Sequence, residues 1–347
     1  MPGKRCSRRT AARRGPAVVL AAGALAVLAT ACSSGGGTSS SDGGAKPASL
    51  SGASSTTKIS FGFSNPGVGD MPLLVAQSQG FFAKQHLDVS FQSFNGGGST
   101  VSAALASGAL QGDKGGLEFL DSNAKNVTQA VAVAQVAGSN YEIFAKKGIT
   151  SPSQLKGKTL GVGSLSGADY VWWQIALPAF GVPASSVHFV VISGSSSAKF
   201  AALDNGAVDA VVSFAGNEPS DAPKPLTTPN QAPQQPQLIM FDKSFIQAHP
   251  TAVNGFVDAL SESVAWIKGN LPAARKVCES KLDDSAAQCS FKSDLHSPNP
   301  YTWSKTSAVD VQSIKKQFPE LKTLYSELTQ STIDSFVDTS FAGISPQ

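Results

Sequence analysis

Charge is scarce in this chain. Asp, Glu, Lys and Arg make up 15% of its 347 residues, while hydrophobic types make up 41%. The apparent excess of base is local. Six of the 27 basic residues and none of the 24 acidic ones fall in residues 1–31, which leaves the remainder at −3. The basic isoelectric point therefore belongs to the first segment, and no basic patch with interleaved aromatics survives beyond it, so nucleic acid is excluded as a partner. His86, His188, His249 and His296 are scattered with none at ligand spacing, so no metal is expected. No Gly-x-Ser-x-Gly elbow occurs, since the centre of Gly163–Gly167 is Leu165, and catalysis has little support. Gly161, Gly163 and Gly167 mimic a dinucleotide fingerprint, but Gly181–Ser185 supplies no acidic residue for a ribose, so no cofactor is expected. A Walker A loop is also missing, which places any ATP chemistry on another chain.

The longest apolar run, Ala17–Ala31, is too short to span a bilayer comfortably as a mature helix. It follows Lys4, Arg5, Arg8, Arg9, Arg13 and Arg14 and closes in Leu28-Ala29-Thr30-Ala31-Cys32. This resembles a bacterial lipoprotein signal over residues 1–31, with Cys32 acylated and anchoring the chain to the cell membrane. An ordinary secretory peptide cut near the same place is the alternative, and the export route, Sec or Tat, is open. Residues 32–57, rich in Ser, Gly, Ala and Thr, read as a flexible tether. Of four cysteines, Cys6 leaves with the signal and Cys32 is the lipid site. Cys278 and Cys289 remain. In an oxidising compartment a close isolated pair is most simply a disulfide.

What is present is an alternation of strands and helices. Lys58–Phe63, Leu87–Phe94, Val131–Val136 and Tyr141–Ala145 read as strands of one segment, and Lys158–Val162, Val187–Ile192 and Val208–Phe214 as strands of a second. Helices are expected between them, then over the amphipathic stretch that starts at Pro250, and over Pro272–Leu282, Ala308–Phe318 and Lys322–Thr329. One phrase occurs twice: Ala103-Ala104-Leu105-Ala106-Ser107-Gly108-Ala109-Leu110 and Ala201-Ala202-Leu203-Asp204-Asn205-Gly206-Ala207-Val208. Each reads as a helix end, a left-handed glycine and a new strand. Two such junctions at matching places imply two α/β lobes with mostly parallel sheets flanked by helices, and a cleft between them.

Four strings make the reading specific. Gly80-Phe81-Phe82-Ala83-Lys84-Gln85-His86-Leu87-Asp88-Val89, Leu155-Lys156-Gly157-Lys158-Thr159-Leu160-Gly161-Val162, Leu203–Ala210 and Phe245-Ile246-Gln247-Ala248-His249-Pro250 occur in series. Together they resemble solute-binding proteins that feed ABC importers of the nitrate, sulfonate, taurine and thiamine-precursor type. Two departures stand out: Gln111 where the first lobe of the family has Asp, and Asn217 where many members have Trp before Glu218-Pro219. The resemblance implies a two-lobed periplasmic-binding-protein-like fold. Lobe I would span 58–147, lobe II 148–236, and a mostly helical return to lobe I would span 237–347. It also implies a monomeric, extracytoplasmic carrier whose partners are a small-molecule ligand and the permease and ATPase subunits of an importer.

In such a fold the loops at strand C-termini and helix starts face the ligand. Helix starts present unpaired N–H groups, which favour a small organic anion such as a sulfonate, taurine or nitrate. The candidate contacts are Gly97, Gly98, Ser99 and Thr100 in the first lobe and Ser164, Ser166, Gly167 and Ser195 in the second, with Asn65, Gly67, Gly115 and Gly116 at further turns. Tyr170 and Phe214 are candidates for an aromatic wall, which would suit a heterocyclic vitamin precursor instead. Glu218 is a candidate hydrogen-bond acceptor, and Asp70 is expected to be an ordinary loop carboxylate. Trp172 and Trp173 are expected in the core. An exported enzyme or ligand sensor using the same cleft is the reading from another class.

Overall fold

The computed structural model describes residues 55–341, apart from 65–67, 95–97, 139–140, 194–195, 215–217, 220, 229–230, 234, 283–288 and 290–307. The expected signal peptide, Cys32, Asn65, Gly67, Gly97 and Ser195 thus lie outside the described residues.

Among the described residues nine strands form two sheets. The first contains β1 (Thr57–Ser64), β2 (Leu87–Phe94), β3 (Gly112–Gly115), β4 (Ala130–Gly138) and, from far along the chain, β9 (Pro236–Asp242), in the order β2-β1-β3-β9-β4. The second contains β5 (Tyr141–Ala145), β6 (Thr159–Val162), β7 (His188–Val191) and β8 (Ala210–Phe214), in the order β5-β8-β6-β7. β1 runs parallel to β2 and β3, and β6 runs parallel to β7 and β8. In each sheet one strand opposes the rest: β9 is antiparallel to β3 and β4, and β5 to β8. Both reversed strands lie next to a passage between the sheets. Tyr141–Ala145, expected with the first lobe, pairs residue for residue with Phe214–Ala210 in the second sheet. Strand alternation cannot say which sheet a strand joins, and β4 and β5 are both apolar.

Helices cover the sheets: α1 (Met71–Ser78), α2 (Phe81–Lys84), α3 (Gly98–Ala106), α4 (Phe119–Ala124), α5 (Ala168–Ala179), α6 (Ser196–Asp204), α7 (Lys243–Ala248), α8 (Pro250–Gly269) and α9 (Leu271–Leu282). Three more follow: α10 (Val311–Lys316), α11 (Phe318–Leu324) and α12 (Gln330–Phe336). α8 begins at a proline, whose missing N–H is harmless in a first turn. Its stripe of Val253, Phe256, Val257, Leu260 and Ile267 is buried on the first sheet. There Phe256 stacks on Phe61 with centroids 4.8 Å apart and meets Phe82 at the same distance. In the second lobe Trp172 and Trp173 are buried with Tyr141, Leu160 and Val212, in the core as expected.

Both copies of the repeated phrase end a helix in the same way. Gly108 and Gly206 take φ of 73° and 78°, the left-handed conformation that favours glycine. The chain then folds back onto the last turn, with the Leu110 amide donating to Ala104 O (3.2 Å) and the Val208 amide to Ala202 O (3.3 Å). Near the C-terminus the observed helices are offset from those expected. Pro319 falls in the first turn of α11, and Thr329 caps α12 by accepting from the Thr332 amide at 3.1 Å. Lys322–Thr329 is therefore split between the end of one helix and the cap of the next. Cys278 and Cys289 are joined by a disulfide, Cα–Cα 5.8 Å.

Candidate functional site

The C-terminal ends of the parallel strands of both sheets carry the loops that meet between the lobes. On the first lobe, α3 opens with Ser99 and Thr100, both exposed. On the second, the loop Gly163–Gly167 leads into α5, with Gly167 extended at the cap position. The two touch: Ser166 Oγ donates to Ser99 Oγ at 3.3 Å, a contact between residues from different lobes. Sequence reasoning selected these residues, and the structure places them opposite one another.

Two carboxylates that sequence reasoning passed over, Glu118 and Asp169, decide the chemistry around them. After β3 the chain turns through Gly115 and Gly116 into α4. Here Glu118 folds back so that its Oε1 accepts the Gly116 amide at 2.9 Å. Its Oε2 is buried and has no hydrogen-bond partner. Burial is the main cause that lifts this carboxyl from 4.5 to about 7, with nearby Asp169 adding to it against the amides of Glu118 and Gly116 and the charge of Lys114. In the second lobe Asp169, in the first turn of α5, accepts the Gly163 amide at 2.7 Å and an ion pair from Lys199 at 3.2 Å. The Gly116 turn, one of the candidate contacts, and the Gly163 amide just ahead of the Ser164–Gly167 loop are thus already answered by the chain's own acids. Ser164 does the same for a third amide, accepting from Ser166 N at 3.3 Å.

Asp70 is not an ordinary loop carboxylate. It is 2% exposed and ion-paired with Lys114 at 2.6 Å, and Lys114 also donates to Gln237 Oε1 at 3.2 Å. The neighbouring Asp113 is buried against Gly62, where an added Cβ would lie 2.7 Å from its Oδ1. Burial, with Glu118 and Asp70 close by, raises the Asp113 carboxyl well above the usual range. Aromatic groups complete the surroundings. Tyr141 stacks on Phe214 at 4.2 Å, whereas Tyr170, half-buried, meets Phe189 edge-on at 4.9 Å. Phe214 and Tyr170 therefore each have a protein partner and do not face one another as a pair. Tyr325, just beyond α11, lies close enough to Glu118, Asp121 and Tyr170 for their charges to add to the effect of burial in raising its phenol. Glu218 lies near Glu142, whose carboxyl is lifted to about 7 by burial and by that neighbour.

A groove of about 690 Å3, lined by Gly108, Gln111, Asn126, Asp242 and His249 among others, sits at the other end of the first sheet. Gln111 enters β3 while Gly115 leaves it, so this groove is separate from the facing loops.

A family model described as NMT1/THI5 like matches residues 69–273. The chain belongs to that family. The NMT1/THI5-like segment includes Glu118, Asp169, Lys199 and the Ser166 loop, while Tyr325 lies beyond it. No match is found among curated proteins. Among solved structures, the chain is similar to the alkanesulfonate-binding protein SsuA from Xanthomonas axonopodis pv. citri bound to MOPS. That likeness has a TM-score of 0.65 at 14% identity and covers 82% of this chain and 99% of that one. It is also similar to the periplasmic nitrate-binding protein NrtA from Synechocystis PCC 6803, with a TM-score of 0.67 at 14% identity over 83% and 87% of the two chains. The desulfurization enzyme DSZB shares the architecture too, at a TM-score of 0.55 and 15% identity over 82% and 97%. These likenesses show the two-lobed periplasmic-binding-protein fold.

Proposed function

We propose that this protein is an extracytoplasmic solute-binding component of an ABC importer, anchored by a lipid on Cys32, that closes its lobes on a small organic molecule and presents it to a permease. The observation that carries this reading is the Ser166–Ser99 contact, which brings the helix-start loops of the two lobes together. Facing loops on two hinged lobes suit capture by closure. The sulfonate- and nitrate-binding proteins named above are built on the same fold and lend the reading further weight.

The expected small anion has weaker support than the fold. Two loop amides beside the facing loops, those of Gly163 and Gly116, already serve Asp169 and Glu118. The two lysines at the site, Lys114 and Lys199, are paired with Asp70 and Asp169. This observation favours the second reading, a ligand with donor groups such as a heterocycle, over a sulfonate or nitrate.

Two measurements test the proposal. Cys32→Ala should move the protein from the membrane fraction to the soluble extracytoplasmic fraction, and retention in membranes would count against the anchor. Thermal-shift screening of the purified chain against sulfonates, nitrate, amines and heterocycles should find a compound that raises its Tm by several degrees. Turnover of a panel compound, with no compound stabilising the protein, would point to the enzyme reading instead.

A further inference from the structure

Glu118 is at odds with its surroundings unless something else joins it. Its Oε1 is satisfied by the Gly116 amide, but Oε2 has neither solvent nor a hydrogen-bond donor. A buried acceptor left without a donor is costly, and such groups are few in folded proteins. The cations that could serve it are engaged elsewhere: Lys114 with Asp70 and Gln237, Lys199 with Asp169. Arg275, on α9, is the one arginine in the chain beyond residue 14.

A ligand entering between the lobes meets acceptors. Asp169 lies close enough for its charge to be felt by Glu118, and Tyr141 feels both. Asp113, 1% exposed and with Oδ1 also lacking a hydrogen-bond partner, adds a third acid from β3. Against these stand two lysines, each already paired with an acid of its own, so neither is left to serve an incoming anion. At the Gly163 and Gly116 amides a sulfonate or nitrate would have to displace the chain's own carboxylates. A cationic nitrogen would find an acceptor ready.

We infer that the ligand carries an ammonium or amidinium group, which donates to Glu118 Oε2, on a body small enough to lie against the aromatic side chains of the second lobe. This deepens the solute-binding reading and rests on it. Two features of the site give such a ligand its hold. The carboxylate is fixed by its bond to Gly116 and needs no rearrangement, and its low-dielectric surroundings strengthen a charge-assisted hydrogen bond.

The test is calorimetric titration of the full chain and of Glu118→Gln, with benzamidine and tyramine as cationic probes and ethanesulfonate and nitrate as anions. A cationic probe should bind the wild-type protein and bind Glu118→Gln at least tenfold more weakly, while the anions give no heat of binding. The unliganded variant should unfold at a temperature no lower than the wild type, which separates loss of contact from loss of fold. Binding of an anion with the cations inert would overturn the inference and leave solute capture standing. Equal affinity of a cationic probe for both proteins would overturn it too. Silence of all four probes would overturn it as well, whereas capture itself fails only if the wider thermal-shift panel is also silent.

Discussion

Burial lifts the Glu118 carboxyl from 4.5 to about 7, so between those pH values the folded chain holds a proton there that the unfolded chain has released. The groups around it are Asp113 and Lys114 from β3, Asp169 from α5, Tyr141 from β5 and Tyr325 beyond α11. For an acid with a raised folded value, stability is intact below the unfolded value and declines as pH rises toward the folded one. Glu118→Gln has no proton to lose. It should therefore be more stable than the wild type at pH 8, by at most about 3 kcal/mol, with the gap closing below pH 4.5. Urea midpoints for both proteins at the two pH values would check this, and an identical gap at both would show that ionisation is not its source. A binding residue that weakens the free protein is what a site kept for a ligand predicts. Gln111 and Asp209 teach the opposite lesson. Gln111 departs from the family pattern, yet its Oε1 accepts the Ser60 amide at 2.8 Å, as Asp209 Oδ2 accepts the Thr159 amide at 2.8 Å. Both side chains hold a backbone amide of a neighbouring strand, Ser60 within β1 and Thr159 at the start of β6, so the departure preserves the function of the position. Asp209 also pairs with Lys146; these bonds outweigh the burial that raises its carboxyl and hold it below the ordinary value. Asp209→Ala should cost about 1–2 kcal/mol at neutral pH, and the difference should fade as pH drops through the folded value of the carboxyl.

The repeated junctions show how much of the chain was legible before any coordinates. Ala, Leu and Gly in fixed order announce a helix end, and both copies end helices at left-handed glycines. At Gly206 nothing lies within 4 Å of an added Cβ, so Gly206→Ala should register the backbone strain alone, about 1 kcal/mol. Gly112→Ala should cost more, toward the upper end of about 1–3 kcal/mol, because its Cβ would lie 2.6 Å from Met240 O in the paired strand, which cannot swing aside. Denaturation midpoints of the two variants would rank them, and a milder Gly112→Ala would mean that the sheet yields there. The loops at the site were legible for the same reason, since Gly and Ser strings after a strand mark the start of a helix. Their carboxylate partners were not. Asp70 meets Lys114, and Asp169 meets Lys199, across intervening strands and helices. A local pattern shows a charge in a loop and cannot show what that charge faces.

The order of the sheets was hidden for a related reason: periodicity identifies a strand without assigning its neighbour. The consequence reaches the whole molecule, because the lobes share more than a cleft. Val171 and Ile175 of α5, a second-lobe helix, are buried in one apolar cluster with Leu110 and Met240 of the first lobe and with Ile314, Leu321 and Ile333 of the C-terminal helices. α11 lies against α5, while α12 lies against α4 and β4. The C-terminal helices thus clasp both lobes, and neither lobe can lose its packing without exposing apolar surface on the other. Unfolding should accordingly be a single cooperative transition, although two-lobed chains commonly depart from that behaviour. In a background where Trp266 and Trp303 are replaced by Phe, Trp172 and Trp173 report on the second lobe, where both are buried, and far-ultraviolet circular dichroism reports on the whole chain. Their urea curves should coincide in midpoint and slope. Leu321→Ala, at a fully buried position of α11, should lower the common midpoint by an amount worth about 2–5 kcal/mol and leave the curves superimposed. Curves that separate, with the tryptophan signal changing at its own midpoint in either protein, would show that the shared cluster does not couple the lobes and that the second lobe unfolds on its own.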